Sequence, residues 1–127
     1  MSRSVSSDDR ISRVVCEKNK KNYCRVGSKE VKPKAFRPDS KGKTSTFVTT
    51  GLPDEKIWTM GKTFVCGADE VYGRADVYAD TILDLKKIAV DYDNTPEYHA
   101  NLTWPDDKEE ILDMTQVLAA KADCITR

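Results

Sequence analysis

The chain has 127 residues, 39% of them apolar and 33% charged, and its formal net charge at pH 7 is zero. A chain of this length and composition is typical of one soluble domain with its own core. No run approaches the roughly 20 apolar residues of a membrane-spanning helix, and the N-terminus lacks the apolar stretch of a secretory signal.

The first third of the chain predicts two strands separated by a loop-rich region. Residues 1–10 are polar and Ser-rich, which predicts a flexible N-terminus before a single domain over 11–127. Alternating apolar residues predict a strand over 11–16, and a β-branched run predicts another over 44–50. Between them, the basic segment 18–43 contains two prolines, which oppose a continuous helix.

The remaining two thirds predict two helices and a hairpin. Apolar residues three and four apart predict a helix over 53–66. A second such stripe, behind a proline and several acids, predicts a helix over 105–123. Strict alternation predicts strands over 87–92 and 98–104, joined by turn residues. Residues 68–86 fit either a short helix or a strand.

This order of elements predicts an α+β fold, in which a small, mainly antiparallel sheet is covered by helices on one face. The chain lacks the regular βαβ alternation of a doubly wound sheet, and neither standard glycine-rich phosphate loop is present. A doubly wound sheet is therefore not expected.

The cysteines indicate a reducing environment. Four of them are scattered along the chain, without a Cys-x-x-Cys pair or the spacing of a zinc ribbon. A core of this size needs no disulfide framework, so we predict reduced thiols and a cytoplasmic location rather than the disulfide-linked alternative. The cysteines are Cys16, Cys24, Cys66 and Cys124.

The charges are divided between the two halves of the chain. Residues 1–50 hold 13 Lys and Arg against 5 Asp and Glu, whereas 51–127 hold 8 against 16. Blocks of opposite sign either neutralise each other or present charged surfaces to partners. The basic segment suits an anionic protein or nucleic acid, although no recognised nucleic-acid motif accompanies it. Its end offers donors for a phosphate group: Arg37, Lys41, Lys43 and Ser45.

His99, the only histidine, is the best candidate for acid–base chemistry. It lies on the outward face of the predicted strand 98–104. If paired positions of the hairpin sum to 190, Asp91 falls opposite His99, where its carboxylate would orient the imidazole. The alternative is an ordinary surface histidine.

No cofactor or metal site is predicted. A single histidine, without HxH or HExxH spacing, limits metal chemistry. The acidic residues at the start of helix 105–123 are explained by the helix dipole. Trp58 lies beside the apolar face of helix 53–66, and we predict that it contacts a partner, because exposed tryptophan is enriched at interfaces.

The runs VKPKAFRP, GLPDEKIW and HANLTWPDDK are similar to short bacterial proteins, over about residues 31–120. The resemblance implies a bacterial origin and a single compact domain. It assigns no catalytic residue.

Two functional hypotheses follow. The first is a non-enzymatic bacterial binding or accessory protein of the cytoplasm, whose basic half contacts an anionic protein or nucleic acid. The lack of a complete catalytic constellation favours it. The second is a small enzyme acting on a phosphate-bearing substrate or nucleotide, with His99 and Asp91 as acid and base. The anion-binding site of this enzyme would consist of Arg37, Lys43 and Ser45. A homo-oligomer joining basic and acidic halves of two copies is a third alternative.

Overall fold

The computed structural model describes residues 5–127. Its helices are α1 (Lys20–Tyr23), α2 (Asp54–Gly61), α3 (Ala79–Asp84) and α4 (Lys108–Lys121). Its strands are β1 (Arg10–Cys16), β2 (Lys43–Val48), β3 (Val71–Tyr78), β4 (Ala89–Tyr92), β5 (His99–Thr103) and β6 (Asp123–Thr126). Within the described residues, the strands form one antiparallel sheet in the order β4–β5–β2–β1–β3–β6.

The predicted α+β fold is confirmed, and the four predicted strands and both predicted helices are present. Helix α2 continues as a π-helical turn over Lys62–Cys66, so that together they fill the predicted segment 53–66. Helix α4 begins later than predicted because Asp107 caps it. The Asp107 side chain accepts the backbone N–H groups of Glu109 and Glu110 at 2.9 and 3.1 Å.

The ambiguous segment 68–86 contains both a strand and a helix, β3 followed by α3. Strand β3 lies between β1 and β6 and is buried along most of its length, so its residues do not alternate between apolar and polar. At Gly73, an added Cβ would collide with the carbonyl oxygen of Ile125. This glycine therefore allows β6, which the sequence pattern did not predict, to pair closely with β3.

Helices cover both faces of the sheet. Successive residues of a strand point to opposite faces. Val15 belongs to the larger core cluster together with Leu118 of α4. Its neighbour Val14 packs in a second cluster that includes Met60 of α2. The prediction that helices lie on one face only is therefore wrong, and the reason is that both faces of β1 are apolar.

Part of the face that α2 covers remains open to solvent. Phe47 of β2 packs in the cluster with α2, but Ser45, two residues earlier on the same face, is exposed. Ser45 pairs with Asn101 of β5, which in turn pairs with the exposed Asp91 of β4. A polar surface therefore extends across β2, β5 and β4.

The described part of the segment 1–10 contacts the rest of the fold. Residues 1–4 lie outside the described residues, but Asp9 is buried. Its carbonyl oxygen accepts the N–H of Ala79 at 2.8 Å, and its carboxylate accepts the hydroxyl of Thr50 at 2.7 Å. Strand β1 then starts at Arg10.

Two of the cysteines are paired. Cys16, at the end of β1, and Cys66, at the end of the π-helical turn, form a disulfide with their Cα atoms 5.6 Å apart. The prediction of reduced cysteines is therefore wrong for this pair. The two residues are 50 positions apart, and spacing alone does not identify partners that only the fold brings together. Cys24 and Cys124 are free and buried.

A buried ion pair joins α2 to the sheet. The Arg74 side chain is 4% exposed and donates to both carboxylate oxygens of Asp76, at 3.1 and 2.9 Å. It also donates to Asp54, in the first turn of α2, at 3.2 Å. Because these partners satisfy the guanidinium, its burial does not leave an unpaired charge.

None of the helices within residues 5–127 combines the length and the apolar composition that a membrane-spanning segment requires.

Two leucines of α4 test the packing of this helix. Leu118 is fully buried, whereas Leu112 is 46% exposed. We expect Leu118→Ala to lower the free energy of unfolding by about 2–5 kcal/mol, because it removes core contacts and leaves a cavity. Leu112→Ala, the matched control, should change it by less than about 0.5 kcal/mol. Urea denaturation measures both, and equal losses would contradict the assigned orientation of α4.

Candidate functional site

Three polar side chains form a hydrogen-bonded chain on the open part of the sheet. Strands β2 and β5 pair so that Phe47 lies opposite His99 and Ser45 lies opposite Asn101. Ser45 and His99 are therefore diagonal neighbours on one face. The Oγ of Ser45 lies 2.8 Å from Nε2 of His99, and Oδ1 of Asp93 lies 2.7 Å from its Nδ1.

The predicted pairing of His99 with Asp91 is wrong by two residues. Asp91 pairs with Asn101 across the hairpin, and its carboxylate accepts the hydroxyl of Thr103 at 2.6 Å. A two-residue shift leaves every side chain on the same face, so the alternation of the strands could not determine the register. The carboxylate that contacts His99 comes from Asp93, just after β4.

The turn between β4 and β5 holds Asp93 against the imidazole. Asn94 has a φ of 52°, in the left-handed region that asparagine tolerates. Its side chain accepts the N–H of Tyr98 at 2.8 Å, and its own N–H donates to the carbonyl of His99 at 3.0 Å. Asp93 also accepts the N–H of Thr95 at 3.3 Å. These bonds determine the position of the carboxylate.

The charge on Asp93 determines which nitrogen of His99 carries the proton. Partial burial of Asp93 opposes its charge, but the hydrogen bonds from His99 and from the N–H of Thr95 outweigh it and lower the pKa of the carboxyl. An ionised carboxylate only accepts, so Nδ1 must be protonated. In the neutral ring, Nε2 then accepts the hydroxyl hydrogen of Ser45.

The imidazole itself is well fixed. Its side chain is only 12% exposed, and it meets the ring of Phe47 edge to face with 5.6 Å between centroids. A serine hydroxyl, an imidazole and a carboxylate in this order are the arrangement by which a histidine base activates a serine nucleophile.

A basic cleft of about 390 Å³ opens beside Ser45. It lies where β1 and β2 stop pairing. Only two residue pairs join these strands: Ile11 with Val48, and Ser12 with Phe47. One carboxylate, that of Asp39, contributes to the lining. The cationic residues that line the cleft are Arg13, Lys34, Arg37 and Lys43.

Arg13 is the fixed cation of the cleft. Its guanidinium donates to the carbonyl oxygens of Ala35 at 3.1 Å and Ser45 at 3.0 Å. It also donates to the hydroxyl of Tyr23 at 3.3 Å and lies 5.4 Å from the centre of that ring. Because several contacts hold it, little side-chain freedom remains to be lost when an anion binds.

The turn before β2 directs Lys43 to the cleft. The carboxylate of Asp39 accepts the backbone N–H groups of Lys43 and Lys41 at 3.1 and 2.8 Å, and these bonds lower the pKa of Asp39. The structure thus brings Arg37, Lys43 and Ser45 to one cleft, which is part of what the second hypothesis requires. Lys41 and His99 lie outside the lining, and His99 reaches the site through its hydrogen bond with Ser45.

Trp58 does not belong to this site. It is half-buried, packs against the smaller core cluster and lies under the guanidinium of Arg74, 4.9 Å from the ring centre. It lines a different cleft, together with residues such as Lys62 and Arg127, which shares no residue with the basic cleft. A partner contact at Trp58 stays a prediction.

The acidic start of α4 is engaged in structural contacts. Asp107 caps the helix, and Glu110 accepts a hydrogen bond from Lys87 at 2.8 Å, which raises the pKa of that lysine. Within residues 5–127, no group of three or more His, Cys, Asp or Glu side chains is arranged to hold a metal ion.

The sequence analysis did not assign four residues of the site: Arg13, Tyr23, Lys34 and Asp93. Arg13 interrupts an apolar strand, and a cation at such a position indicates a specific partner nearby. Asp93 directly follows the predicted strand 87–92. A predicted hairpin loop centred one residue closer to the C-terminus would therefore have placed Asp93 near His99. Tyr23 carries no comparable signal.

Comparison of the chain with family models, with curated proteins and with solved structures found no match. The chemistry of the site is therefore inferred from its geometry.

The tautomer of His99 tests the contact with Asp93. Because the chain has a single histidine, its imidazole signals are unambiguous in long-range nitrogen–proton NMR spectra. In the neutral ring, we expect the Nδ1-protonated form. Asp93→Ala should shift the ring toward the Nε2-protonated form, whereas Asp91→Ala should leave it unchanged. A response to Asp91→Ala alone would contradict the observed pairing.

Proposed function

We propose that the protein binds a phosphate-bearing ligand in the basic cleft beside Ser45. One observation carries the proposal: four cationic side chains converge on a single cleft that contains one carboxylate. Guanidinium and ammonium groups bind phosphate through charge-assisted hydrogen bonds, and a guanidinium can contact two oxygens at once.

The charges of the cleft are arranged for an anion that enters from solvent. Lys34, Arg37 and Lys43 are exposed, whereas Arg13 is half-buried between β1 and β2. The carboxylate of Asp39 is occupied by backbone N–H groups of its own turn. An incoming phosphate would therefore meet cations at the rim and a preoriented guanidinium further in.

The dimensions of the cleft favour a small group. A volume of about 390 Å³ lies at the lower end of the range for small-molecule sites. It suits a phosphate or diphosphate group with part of the molecule that carries it. The basic half of the chain predicted an anionic partner. In this proposal, that partner contacts the protein through a phosphate group in the basic cleft.

A second candidate function is catalysis on the bound ester, and the Ser45–His99–Asp93 chain favours it. Oγ of Ser45 would form a bond to the phosphorus of the ester while its proton passes to Nε2 of His99. The imidazolium, held by Asp93, would return the proton to the departing alcohol. Water would then release the phosphate from Ser45 by the same two proton transfers, with cations of the cleft opposing the negative charge of the transition state.

Titration calorimetry with inorganic pyrophosphate at low salt tests the binding site. We expect Arg37→Ala and Lys43→Ala each to weaken binding at least ~10-fold, since each removes a charge-assisted hydrogen bond worth about 1.5–3 kcal/mol. Lys41→Ala is the matched control, because Lys41 belongs to the same turn but lies outside the cleft. It should weaken binding by less than ~3-fold.

Two outcomes would contradict the binding proposal: equal losses in Lys41→Ala and Lys43→Ala, or no heat of binding with the unmodified protein at low salt. Repeating the titration with a single-stranded oligonucleotide shows whether the bound phosphate belongs to a polymer. Polymer binding would weaken steeply with rising salt, because several phosphates release counterions together.

A fluorophosphonate probe tests the catalytic candidate without knowledge of the substrate. Attack by Oγ of Ser45 forms an oxygen–phosphorus bond and expels fluoride, with the proton taken by His99. We expect mass spectrometry to locate the adduct on Ser45, and His99→Ala to slow labelling at least ~100-fold. Thr103→Ala removes another hydroxyl of the same face and should leave the rate unchanged. An unchanged labelling rate in His99→Ala would exclude the catalytic function. It would not affect the binding proposal.

A further inference from the structure

We propose that Cys24 and Cys124 form a second disulfide, which fastens the segment beside the basic cleft to the C-terminal strand. Both residues are buried, at 0% and 3% exposure, in the larger core cluster. Their Sγ atoms lie 2.8 Å apart, well inside the roughly 3.5–4.0 Å that separates non-bonded heavy atoms at their optimum.

The backbone on both sides of the pair is already in place. Residues 23–32 form a short hairpin, in which Cys24 pairs with Val31. The N–H of Cys124 donates to the carbonyl of Lys29 in this hairpin at 2.9 Å, and Cys124 pairs with Ala75 of β3 on its other side. Bond formation would require the sulfur atoms to approach by less than about 1 Å, from 2.8 Å toward the ~2.05 Å of a disulfide.

The two thiols are chemically unequal. The Cys24 thiol donates to the sulfur of Cys124, which raises the pKa of Cys24 and lowers that of Cys124. Burial raises the pKa of Cys24 further. Cys124 is therefore the better nucleophile of the pair.

The oxidant that the reaction requires is a small disulfide such as oxidised glutathione. The Cys124 thiolate attacks one of its sulfurs and releases one glutathione thiolate. Cys24, on losing its proton, then displaces the second and closes the Cys24–Cys124 bond. Two protein thiols are oxidised, one glutathione disulfide is reduced, and the two thiol protons pass to the two glutathione molecules. Since both residues are buried, the exchange takes place during folding or when β6, a four-residue edge strand, opens.

The cross-link would stabilise one wall of the basic cleft. Tyr23 immediately precedes Cys24, lines the cleft and accepts a hydrogen bond from Arg13. A bond between Cys24 and Cys124 would link the backbone next to Tyr23 covalently to a strand 100 positions away in sequence. This inference does not rest on the proposed ligand, and its test involves none.

Peptide mapping tests the bond directly. The reduced, unfolded protein is refolded in a glutathione buffer, treated with N-ethylmaleimide under denaturing conditions and digested with trypsin. We expect peptide 22–25 to be joined to 122–127, and the Cys16–Cys66 disulfide to join 14–18 to 63–74. Adducts on both 22–25 and 122–127, or linkage of either to another cysteine peptide, would overturn the proposal.

Thermal unfolding of a matched variant provides a second measurement. Replacing Cys24 and Cys124 with alanine leaves the Cys16–Cys66 disulfide, which a reductant breaks in both proteins. We expect the reductant to lower the Tm of the unmodified protein by at least ~5 °C more than that of the variant, because a disulfide that closes a long loop restricts the unfolded chain. Equal shifts in the two proteins would overturn the proposal.

Discussion

Ser45 and His99 meet because β2 and β5 pair in one register, and the site depends on that register. A shift by one residue would turn Ser45 toward the core, and a shift by two would place it either directly opposite His99 or two residues further from the imidazole. The buried face of β2 fixes the pairing. Thr46 donates to the carbonyl of Ala100 at 2.8 Å, and Thr44 accepts the indole N–H of Trp104 at 2.9 Å. Residues of the core thus position the polar residues on the other face.

The basic cleft arises from an incomplete pairing of the sheet. Strands β1 and β2 share only two residue pairs, so the carbonyl of Ser45 is available to the guanidinium of Arg13. A complete ladder would satisfy that oxygen with backbone and leave no room for a charge. The opening has two consequences: Arg13 is held between the strands, and the cations around it share a cleft with Ser45, the residue whose hydroxyl contacts His99. We therefore propose that anion binding and serine chemistry are neighbouring properties of one site.

The sequence predicted the parts of this structure that follow from local patterns. Alternation located β5 and its buried face, and helical spacing located α2 and α4. It could not locate β3, because a strand buried on both faces has no alternation and Arg74 gives it the composition of a surface segment. It also could not determine the partner of His99, because registers two residues apart place the same side chains outward. Reduced cysteines were the basis of the predicted cytoplasmic location, and the Cys16–Cys66 disulfide removes that premise.

One titration tests directly whether the basic cleft and the hydrogen-bonded chain of Ser45, His99 and Asp93 are one site. Pyrophosphate is titrated into the protein while NMR follows the imidazole nitrogens of His99 and the side-chain signal of Arg13. Because Ser45 contacts both residues, we predict that the two signals change together, with the same Kd. A change at Arg13 without any change at His99 would contradict it.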